Sequence, residues 1–233
     1  YEESAKVHKD IETARASVAA VLGARPSEII FTAGATEANN LVIRGVMAQH
    51  PRASLIVSAV EHDSVLVPAH EFDAQIAPVK PNGIIDVTAL EKMIQDNTVL
   101  VSLMYANNEV GTIQPLKAVS SLLAKVRADR KKNGNSLPLY FHTDAAQAAN
   151  YLDLHVSRLG VDFLTLNGGK IYGPKQSGAL YVSAKARLVP QITGGKQEFN
   201  MRSGTENVAG IIGVAKALAI ASSMRESEAA RLR

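Results

Sequence analysis

The sequence predicts an α/β fold of three layers, in which helices cover both faces of a mostly parallel mixed sheet. Segments of helical periodicity alternate along the chain with short runs of strand-forming residues, and this alternation favours a parallel sheet between two helical layers. The 233 residues, 46% of them hydrophobic, suffice for a sizeable core. Because neither an internal repeat nor an interdomain linker is visible, we treat residues 1–233 as one domain.

The helices are placed by apolar spacing and by residues that end helices. The first covers about Ser4 to Leu22, where apolar side chains recur at helical spacing and Gly23 follows as a stop. Pro115 marks the start of a later helix that reaches about Lys131, before a polar surface loop. The other helices are expected over about 36–47, 65–71 and 89–95, and from about 208 onward.

The strands are short runs rich in β-branched and aromatic residues between turn residues. They are expected at Glu28–Thr32, Ser54–Ser58, Gln75–Val79 and Val99–Met104, and near residues 139, 163 and 180. The turn Pro81-Asn82-Gly83 precedes a further extended run, Ile84–Val87. Ligands of open α/β sheets bind beyond the carboxyl ends of the strands, so the loops after these strands hold the candidate functional residues.

Lys170 is the strongest candidate for chemistry. It follows the strand-forming run Val161–Leu166 in Asn167-Gly168-Gly169-Lys170, where the glycines let the backbone approach a bulky ligand. The next residues, Tyr172-Gly173-Pro174, are typical of a turn. A lysine presented in this way at a strand end suits a Schiff base with a carbonyl compound. The alternative interpretation is an ordinary surface lysine.

Asp144 lies at the carboxyl end of the predicted strand Leu139–Phe141. A carboxylate at that place can pair with a ring nitrogen of a bound cofactor. Pyridoxal phosphate requires both such a carboxylate and a lysine. The alternative is that Asp144 caps a helix that begins at Ala145.

The loop Ala33-Gly34-Ala35-Thr36 is a candidate phosphate site. It leads into a helical segment, and a helix N-terminus offers backbone N–H groups and a favourable dipole to an anion. The Thr36 hydroxyl can add a donor. The loop matches neither the Walker A nor the G-x-G-x-x-G pattern, and many α/β proteins contain a strand–glycine–helix loop.

Two further loops follow predicted strands. The ring of His62, in Glu61-His62-Asp63-Ser64, can stack on a flat cofactor, or it is a loop histidine with local partners. An amide of Asn107-Asn108 can bond a phenolic oxygen of a cofactor, although Asn and Gly in this segment also favour a turn.

Six motifs resemble those of the class V aminotransferase family, and most closely its cysteine desulfurase and selenocysteine lyase branch. They occur in the family's order and with similar spacing, over nearly the whole chain. The motifs are Phe31–Glu37, Glu61–His62, Asn107–Gly111, Asp144–Gln147, Lys170–Pro174 and Arg202–Asn207. The resemblance implies the large cofactor-binding domain of the pyridoxal-phosphate-dependent transferase fold.

The resemblance also implies a role for each residue. Lys170 would form the Schiff base with pyridoxal 5'-phosphate, Asp144 would pair with its pyridine nitrogen, and His62 would stack on the ring and move protons. Thr205 would reach the phosphate of the neighbouring subunit in a homodimer with shared sites. The remaining contacts would be made by Asn108 and Gln147 at the phenolic oxygen and by Ala35 and Thr36 at the phosphate.

Two positions depart from the family's pattern. Gly169 stands where the family usually has His, and Asn167 where it often has Ser or Thr. Both positions lie near the cofactor phosphate in the family, and each hydrogen bond to a charged group is worth roughly 1.5–3 kcal/mol. We expect the Asn167 amide to restore one of these phosphate contacts.

The chain contains no cysteine, whereas cysteine desulfurases take up sulfur on a catalytic cysteine as a persulfide. By resemblance, that cysteine and the arginine for the substrate carboxylate belong to a small C-terminal domain. The sequence opens at Tyr1 and ends within a helical pattern. We therefore expect a short N-terminal segment and the C-terminal domain to be absent from these residues, and the isolated chain to have little turnover.

Composition narrows the possible partners. A net charge of +3 with scattered Lys and Arg, apart from the run Arg127–Lys132, gives little reason to expect nucleic acid. Without cysteine the chain has no disulfide or Cys-based zinc site, and its six histidines lack metal-ligand spacing, so we expect no metal. We recognise no signal peptide and no apolar stretch long enough to span a membrane, and we expect a cytoplasmic protein without membrane association.

Three functional hypotheses follow. The first, implied by the resemblance, is removal of sulfur or selenium from cysteine or selenocysteine with pyridoxal phosphate, giving alanine and passing sulfur to an acceptor protein, as in iron–sulfur cluster assembly. The second is another class V reaction, a transamination or a lyase step, without a catalytic cysteine. The third is a non-catalytic relative that keeps the fold and binds a partner.

Overall fold

The computed structural model describes residues 2–232, which form one seven-stranded sheet between two layers of helices. The strands are β1 (Ile29–Thr32), β2 (Ser54–Ser58), β3 (Gln75–Ala77), β4 (Thr98–Ser102), β5 (Tyr140–Asp144), β6 (Phe163–Asn167) and β7 (Gly178–Val182). The α-helices are α1 (Glu2–Leu22), α2 (Ala35–Gln49), α3 (Asp63–His70), α4 (Val87–Met93), α5 (Leu116–Lys132), α6 (Val156–Leu159) and α7 (Val208–Arg231). The predicted three-layer α/β fold with a mostly parallel mixed sheet is confirmed.

The strand order across the sheet is β1-β7-β6-β5-β4-β2-β3. Strand β7 runs antiparallel to both of its neighbours, and the other strand pairs among residues 2–232 are parallel. The carboxyl ends of β1, β2, β4, β5 and β6 therefore lie along one edge of the sheet. The loops that follow these strands meet at that edge, which is where ligands of such sheets bind.

The core has two halves because successive side chains of a strand point to opposite faces of the sheet. Ile29 and Phe31 pack into the cluster formed with α1, α4, α5 and α7. Ile30 packs into the other cluster, formed with α2 and α3. Both faces of the sheet are thus buried, as a mostly parallel sheet requires.

Several element boundaries differ from the predicted ones, and side-chain caps explain two of them. Helix α3 begins at Asp63, before its predicted start, because the His62 side chain caps it. Helix α4 likewise begins at Val87, because the Asp86 carboxylate accepts from two N–H groups of its first turn. The run predicted as extended before α4 is reduced to one bridged pair. The one-turn helix α6 has no counterpart among the predicted elements.

Helix α7 contradicts the expectation that no stretch is long and apolar enough to span a membrane. By length and composition it passes that test, with a mean hydropathy of 1.4. Its apolar side chains have a place in the fold, since Ile211, Val214 and Leu218 are buried in the core cluster shared with α1. Packing against α1 therefore buries part of the apolar surface of α7 within the fold.

Candidate functional site

One cavity at the carboxyl edge of the sheet collects residues from five loops. It is lined by Ala35, Thr36, His62, Ser64, Met104, Asn108, Asp144, Ala146, Gln147, Asn167 and Lys170. Every site residue predicted from the sequence is among them except Thr205. Residues far apart in the chain come together there because they follow parallel strands that end at the same edge.

Lys170 ends a short 3₁₀ turn, Gly168–Lys170, that directly follows β6. The turn is held on both sides, because the Asn167 Oδ1 accepts from Gly169 N at 3.1 Å and the Asn150 Nδ2 donates to Lys170 O at 2.8 Å. The Lys170 side chain is exposed at the wall of the cavity. The backbone is thus fixed while the amine stays accessible to a ligand.

Helix α2 presents an open N-terminus to the same cavity. Its cap residue, Gly34, has a φ of 145° and no side chain that could accept from the first-turn N–H groups. Such N–H groups have no partner within the helix and attract anions. The glycine at 178 on β7 lets the strand pass close by, since an added Cβ there would lie 2.7 Å from the Gly34 Cα. Ala35 and Thr36 line the cavity from this first turn.

Asp144 is the last residue of β5 and is almost fully buried. Burial raises the pKa of its carboxyl group, whereas hydrogen bonds from Ala146 N and Asn39 Nδ2 and the nearby His62 act to lower it. The two donors lie 2.9 Å from Oδ1 and 2.7 Å from Oδ2. No helix follows Asp144, since residues 146–151 form successive turns. Its interpretation as a helix cap is therefore wrong.

A chain of hydrogen bonds links His62 to Asp144. Ser64 N donates to His62 Nδ1 at 3.0 Å, and the Ser64 hydroxyl lies 2.9 Å from the same nitrogen. Asn39 Nδ2 donates to the Ser64 Oγ at 2.8 Å and also to Asp144. Because Nδ1 accepts, the neutral His62 ring carries its proton on Nε2. His62 therefore caps α3, as a loop histidine with local partners does, and its ring also lines the cavity. Stacking of this ring on a cofactor stays a prediction.

In the loop after β4, two neighbouring asparagines have different surroundings. Asn107 makes the turn, since its Oδ1 accepts from the N–H groups of Glu109 and Val110 at 2.8 and 2.9 Å. Its Nδ2 donates to Val60 O at 3.0 Å and so ties this loop to the one after β2. Asn108 lines the cavity with an exposed side chain.

Sequence reasoning missed three buried polar residues around the cavity: Asn39, Ser64 and Glu61. Asn39 lies one helical turn after Ala35, so its spacing could have placed it on the cavity side of α2. Glu61 precedes His62 and is buried, with Oε1 accepting from Met104 N at 2.6 Å. Burial raises the pKa of Glu61 to about 8. No local pattern distinguishes this glutamate from an exposed one.

Thr205 lies outside the cavity that holds Lys170. It lines a second cavity, together with Gln176, Arg202 and the end of β1. Arg202 Nε donates to Glu37 Oε1 at 2.8 Å and so links this loop to the first turn of α2. The predicted contact of Thr205 with a neighbouring subunit stays a prediction, because the structure contains one chain.

Another histidine, His142, belongs to the core. It is fully buried on β5, with Nδ1 2.8 Å from the Ser102 Oγ and Nε2 3.1 Å from the Thr165 Oγ1. Burial lowers its pKa to about 3, so the ring is neutral. Among residues 2–232, no three His, Cys, Asp or Glu side chains lie close enough together to hold a metal ion.

Two relatives of this chain in sequence are cysteine desulfurases. Cysteine desulfurase IscS of Dictyoglomus turgidum is 42% identical over 229 residues, which are 95% of this chain and 55% of that protein. Cysteine desulfurase IscS 1 of Archaeoglobus fulgidus is 38% identical over 98% of this chain and 58% of that protein. The chain thus spans little more than half the length of these relatives.

Two solved structures have the same fold as this chain and are also related to it in sequence. A NifS-like protein superposes with a TM-score of 0.88 at 36% identity, over 98% of this chain and 62% of that one. SspA in complex with cysteine superposes with a TM-score of 0.84 at 36% identity, over 94% of this chain and 62% of that one. A sequence model of the aminotransferase class-V family matches residues 1–232. This chain belongs to the aminotransferase class-V family.

Proposed function

We propose that this chain is the cofactor-binding domain of a pyridoxal-phosphate-dependent enzyme that removes sulfur or selenium from cysteine or selenocysteine. The observation that carries the proposal is the cavity in which Lys170, Asp144 and the N-terminus of α2 face one another. Cysteine desulfurases among the relatives, at 38 and 42% identity, support the choice of substrate class.

The donors and acceptors of the cavity fit pyridoxal phosphate. An amine (Lys170) suits its aldehyde, a buried carboxylate (Asp144) its ring nitrogen, and the open first turn of α2 its phosphate. Asn108 and Gln147 offer side-chain amides for its phenolic oxygen. The space beside Gly169 is open, since an added Cβ would have no neighbour nearer than 3.6 Å. That nearest neighbour is the Asn167 Oδ1, so the Asn167 amide occupies part of this space. When bound, the cofactor withdraws electrons from the bonds around the substrate's α carbon.

The chain's own residues orient the cofactor and move protons. Asp144 would accept a hydrogen bond from the cofactor's protonated ring nitrogen, while Asn39 and Ala146 hold the carboxylate in place. His62 would stack on the ring, and its Nδ1 is fixed by the hydrogen bond from Ser64 N. Lys170 and His62 carry exposed titratable groups at the cavity wall, and we assign proton transfer at the substrate to them.

The proposed subunit assembly rests on the family resemblance alone. We include a cytoplasmic homodimer in which Thr205 reaches the phosphate of the neighbouring subunit's cofactor. A sulfur-acceptor protein would receive the product of the first half of the reaction. Exposure of the Thr205 side chain is consistent with such a contact.

An absorption titration with pyridoxal phosphate tests the central claim. The chain as given and a Lys117→Ala variant, which loses an exposed lysine on α5, should develop the same new visible band. Lys170→Ala should lack it, and after borohydride reduction a digest should carry the cofactor on Lys170 alone. A band of equal strength in Lys170→Ala would remove Lys170 from the proposed role.

A class V reaction without a catalytic cysteine is the second candidate, because the 233 residues contain no thiol. It shares the cofactor contacts and differs in the products. Release of sulfide together with pyruvate and ammonia, without any protein persulfide, would favour a lyase over a desulfurase, because this elimination needs neither a thiol nor a reductant.

A further inference from the structure

Glu61 is a buried carboxyl group for which the chain supplies one hydrogen bond only. Its Oε1 accepts from Met104 N at 2.6 Å. Its Oε2 is fully buried and has no partner among the described residues. The residue is 6% exposed, and a charged oxygen without a partner is costly at this depth.

Asp144, the other buried carboxyl group of the site, accepts more hydrogen bonds than Glu61 does. Each of its oxygens accepts a hydrogen bond, from Ala146 N and from Asn39 Nδ2. Donors to both oxygens favour the charged form, whereas a single donor and a dry second oxygen favour the neutral form. Two negative charges close together in a buried site are also unfavourable, and the Asp144 charge acts on Glu61 in that direction.

Among residues 2–232, the cavity that Glu61 lines has no lysine or arginine that could compensate a negative charge. Glu61 lines a cavity with His62, Asp63, Asn107, Asn108 and Glu109 and with the loop residues Ala59, Val60 and Val110. His62 is the one basic side chain of this lining, and its Nδ1 is occupied by Ser64. Asp63, Glu109 and Asp144 are all acidic, so the local charge opposes a further carboxylate.

We propose that Glu61 is a positioning residue that carries a proton on Oε2 in the native protein. Its Oε1 ties the loop after β2 to the start of the loop after β4, and these two loops bring His62 and Asn108 to the cavity. The bound proton allows this tie without a second negative charge beside Asp144. The protonation stands on the chain alone, and its benefit to the cofactor rests on the proposed function.

Infrared spectroscopy of the chain without cofactor tests the protonation. At pH 7 a difference spectrum between the chain and Glu61→Gln should show the carbonyl stretch of a protonated carboxyl group, and this signal should be lost with a midpoint near pH 8. Glu109→Gln, which removes an exposed carboxylate from the same cavity, should leave the signal intact. If Glu61→Gln does not fold, Asp144→Asn should lower the midpoint. Identical spectra for the chain and Glu61→Gln at pH 7 overturn the proposal.

Pyridoxal phosphate titrations at pH 7 and pH 9 test the positioning role. From pH 7 to pH 9 the affinity of the unaltered chain and of Glu109→Gln should fall severalfold more than that of Glu61→Gln, because Glu61 ionises over this range and glutamine does not. Glu61→Ala, which loses the tie to Met104, should bind weakly at both, and glutamine should rescue it. Equal pH ratios in all variants contradict the role of Glu61. Absence of binding in every protein defeats the proposed function and leaves the infrared result standing.

Discussion

The two buried carboxyl groups of the site differ in donors and therefore in charge. Asp144 has a donor on each oxygen, and Glu61 has one donor in total. Neither difference follows from residue type, since an aspartate and a glutamate have similar intrinsic acidity. In our proposals Asp144 holds the negative charge at neutral pH and Glu61 the proton, and the hydrogen bonds to the two residues favour this division.

Asp144→Asn separates the charge of this residue from its shape. Asparagine keeps one acceptor oxygen but removes the negative charge, so we expect cofactor affinity to fall by about 1.5–3 kcal/mol, the worth of a hydrogen bond to a charged group. Folding should be preserved, because burial already disfavours the charged form. Absorption titration and thermal unfolding measure the two effects. Asp10→Asn, on the exposed surface of α1, should change neither, and unchanged affinity in Asp144→Asn would argue against its pairing with the ring.

Stability should depend on pH in opposite directions at two residues. His142 has a pKa lowered to about 3, so the folded chain takes up fewer protons than the unfolded chain, and stability is lost as pH falls from about 6.5 to 3. Glu61 has a pKa raised to about 8, so stability is lost as pH rises from about 4.5 to 8. Each contribution is on the order of several kcal/mol at its limit.

Thermal unfolding as a function of pH separates these two contributions. His142→Gln should flatten the acid side of the curve and Glu61→Gln the alkaline side. A curve that keeps its wild-type shape in both variants would mean that other groups set the pH dependence.

At the scale of elements, the open N-terminus of α2 is the feature that most depends on backbone packing. Strand β7 passes directly beneath it, because residue 178 has no side chain. An added Cβ at Gly178 would lie 2.7 Å from both Gly34 Cα and Leu166 O. Both neighbours are backbone atoms, which cannot move aside cheaply.

Gly178→Ala should therefore destabilise the protein by about 1–3 kcal/mol, as overpacking generally does. It should also weaken phosphate-dependent binding, because the shift falls on the first turn of α2. Gly169→Ala is the matched control for stability, since nothing lies within 3.4 Å of its added Cβ and we expect a change within about 0.5 kcal/mol. Denaturant unfolding measures both. Equal stabilities of the two variants would show that β7 can move away from the N-terminus of α2 without a loss of folding free energy.

The sequence predicts the strands and the strand-end loops well, because a parallel sheet places its ligand site where strands end. Asp144 and Lys170 could be located in this way from their neighbours alone. The hydrogen bonds between Asn39, Ser64 and Asp144 could not be located, because they join α2, the first turn of α3 and the end of β5, which only the tertiary fold brings together. The spacing of Asn39 from Ala35 indicates its side of α2 but does not reveal these partners.

At the scale of the whole molecule, a buried ion pair joins the first helix to the loop that leads to Thr205. Arg15 Nη1 and Nη2 donate to the two carboxylate oxygens of Glu198 at 2.7 and 2.9 Å. Glu198 also accepts from Phe31 N at 2.7 Å. The loop needs this support, since Glu198, Phe199 and Asn200 all have positive φ without being glycine.

Removing one partner of this pair should cost far more than a surface ion pair. Glu198→Gln leaves the buried Arg15 guanidinium with the partly exposed Glu12 as its remaining counter-charge, and breaking a buried pair costs about 3–5 kcal/mol. Glu228→Gln, in an exposed pair with Arg231 on α7, should leave stability nearly unchanged. Denaturant unfolding compares the two variants. Similar small losses would mean that the loop holds its conformation without Arg15.

Turnover by the chain as given distinguishes binding from catalysis. The 233 residues hold the proposed cofactor contacts but no thiol, and they span 55–58% of the desulfurase relatives. Cysteine should bind and change the absorption band of the added cofactor. Because the chain has no group to accept sulfur, alanine formation should stay far below one equivalent per minute, whereas typical enzymes turn over about 1–1000 times per second. Chromatographic assay of alanine and colorimetric assay of sulfide measure this. Steady release of sulfide without alanine would instead favour a class V lyase, since elimination from cysteine gives sulfide, pyruvate and ammonia without a thiol or a reductant. Steady alanine formation would contradict the expected lack of turnover.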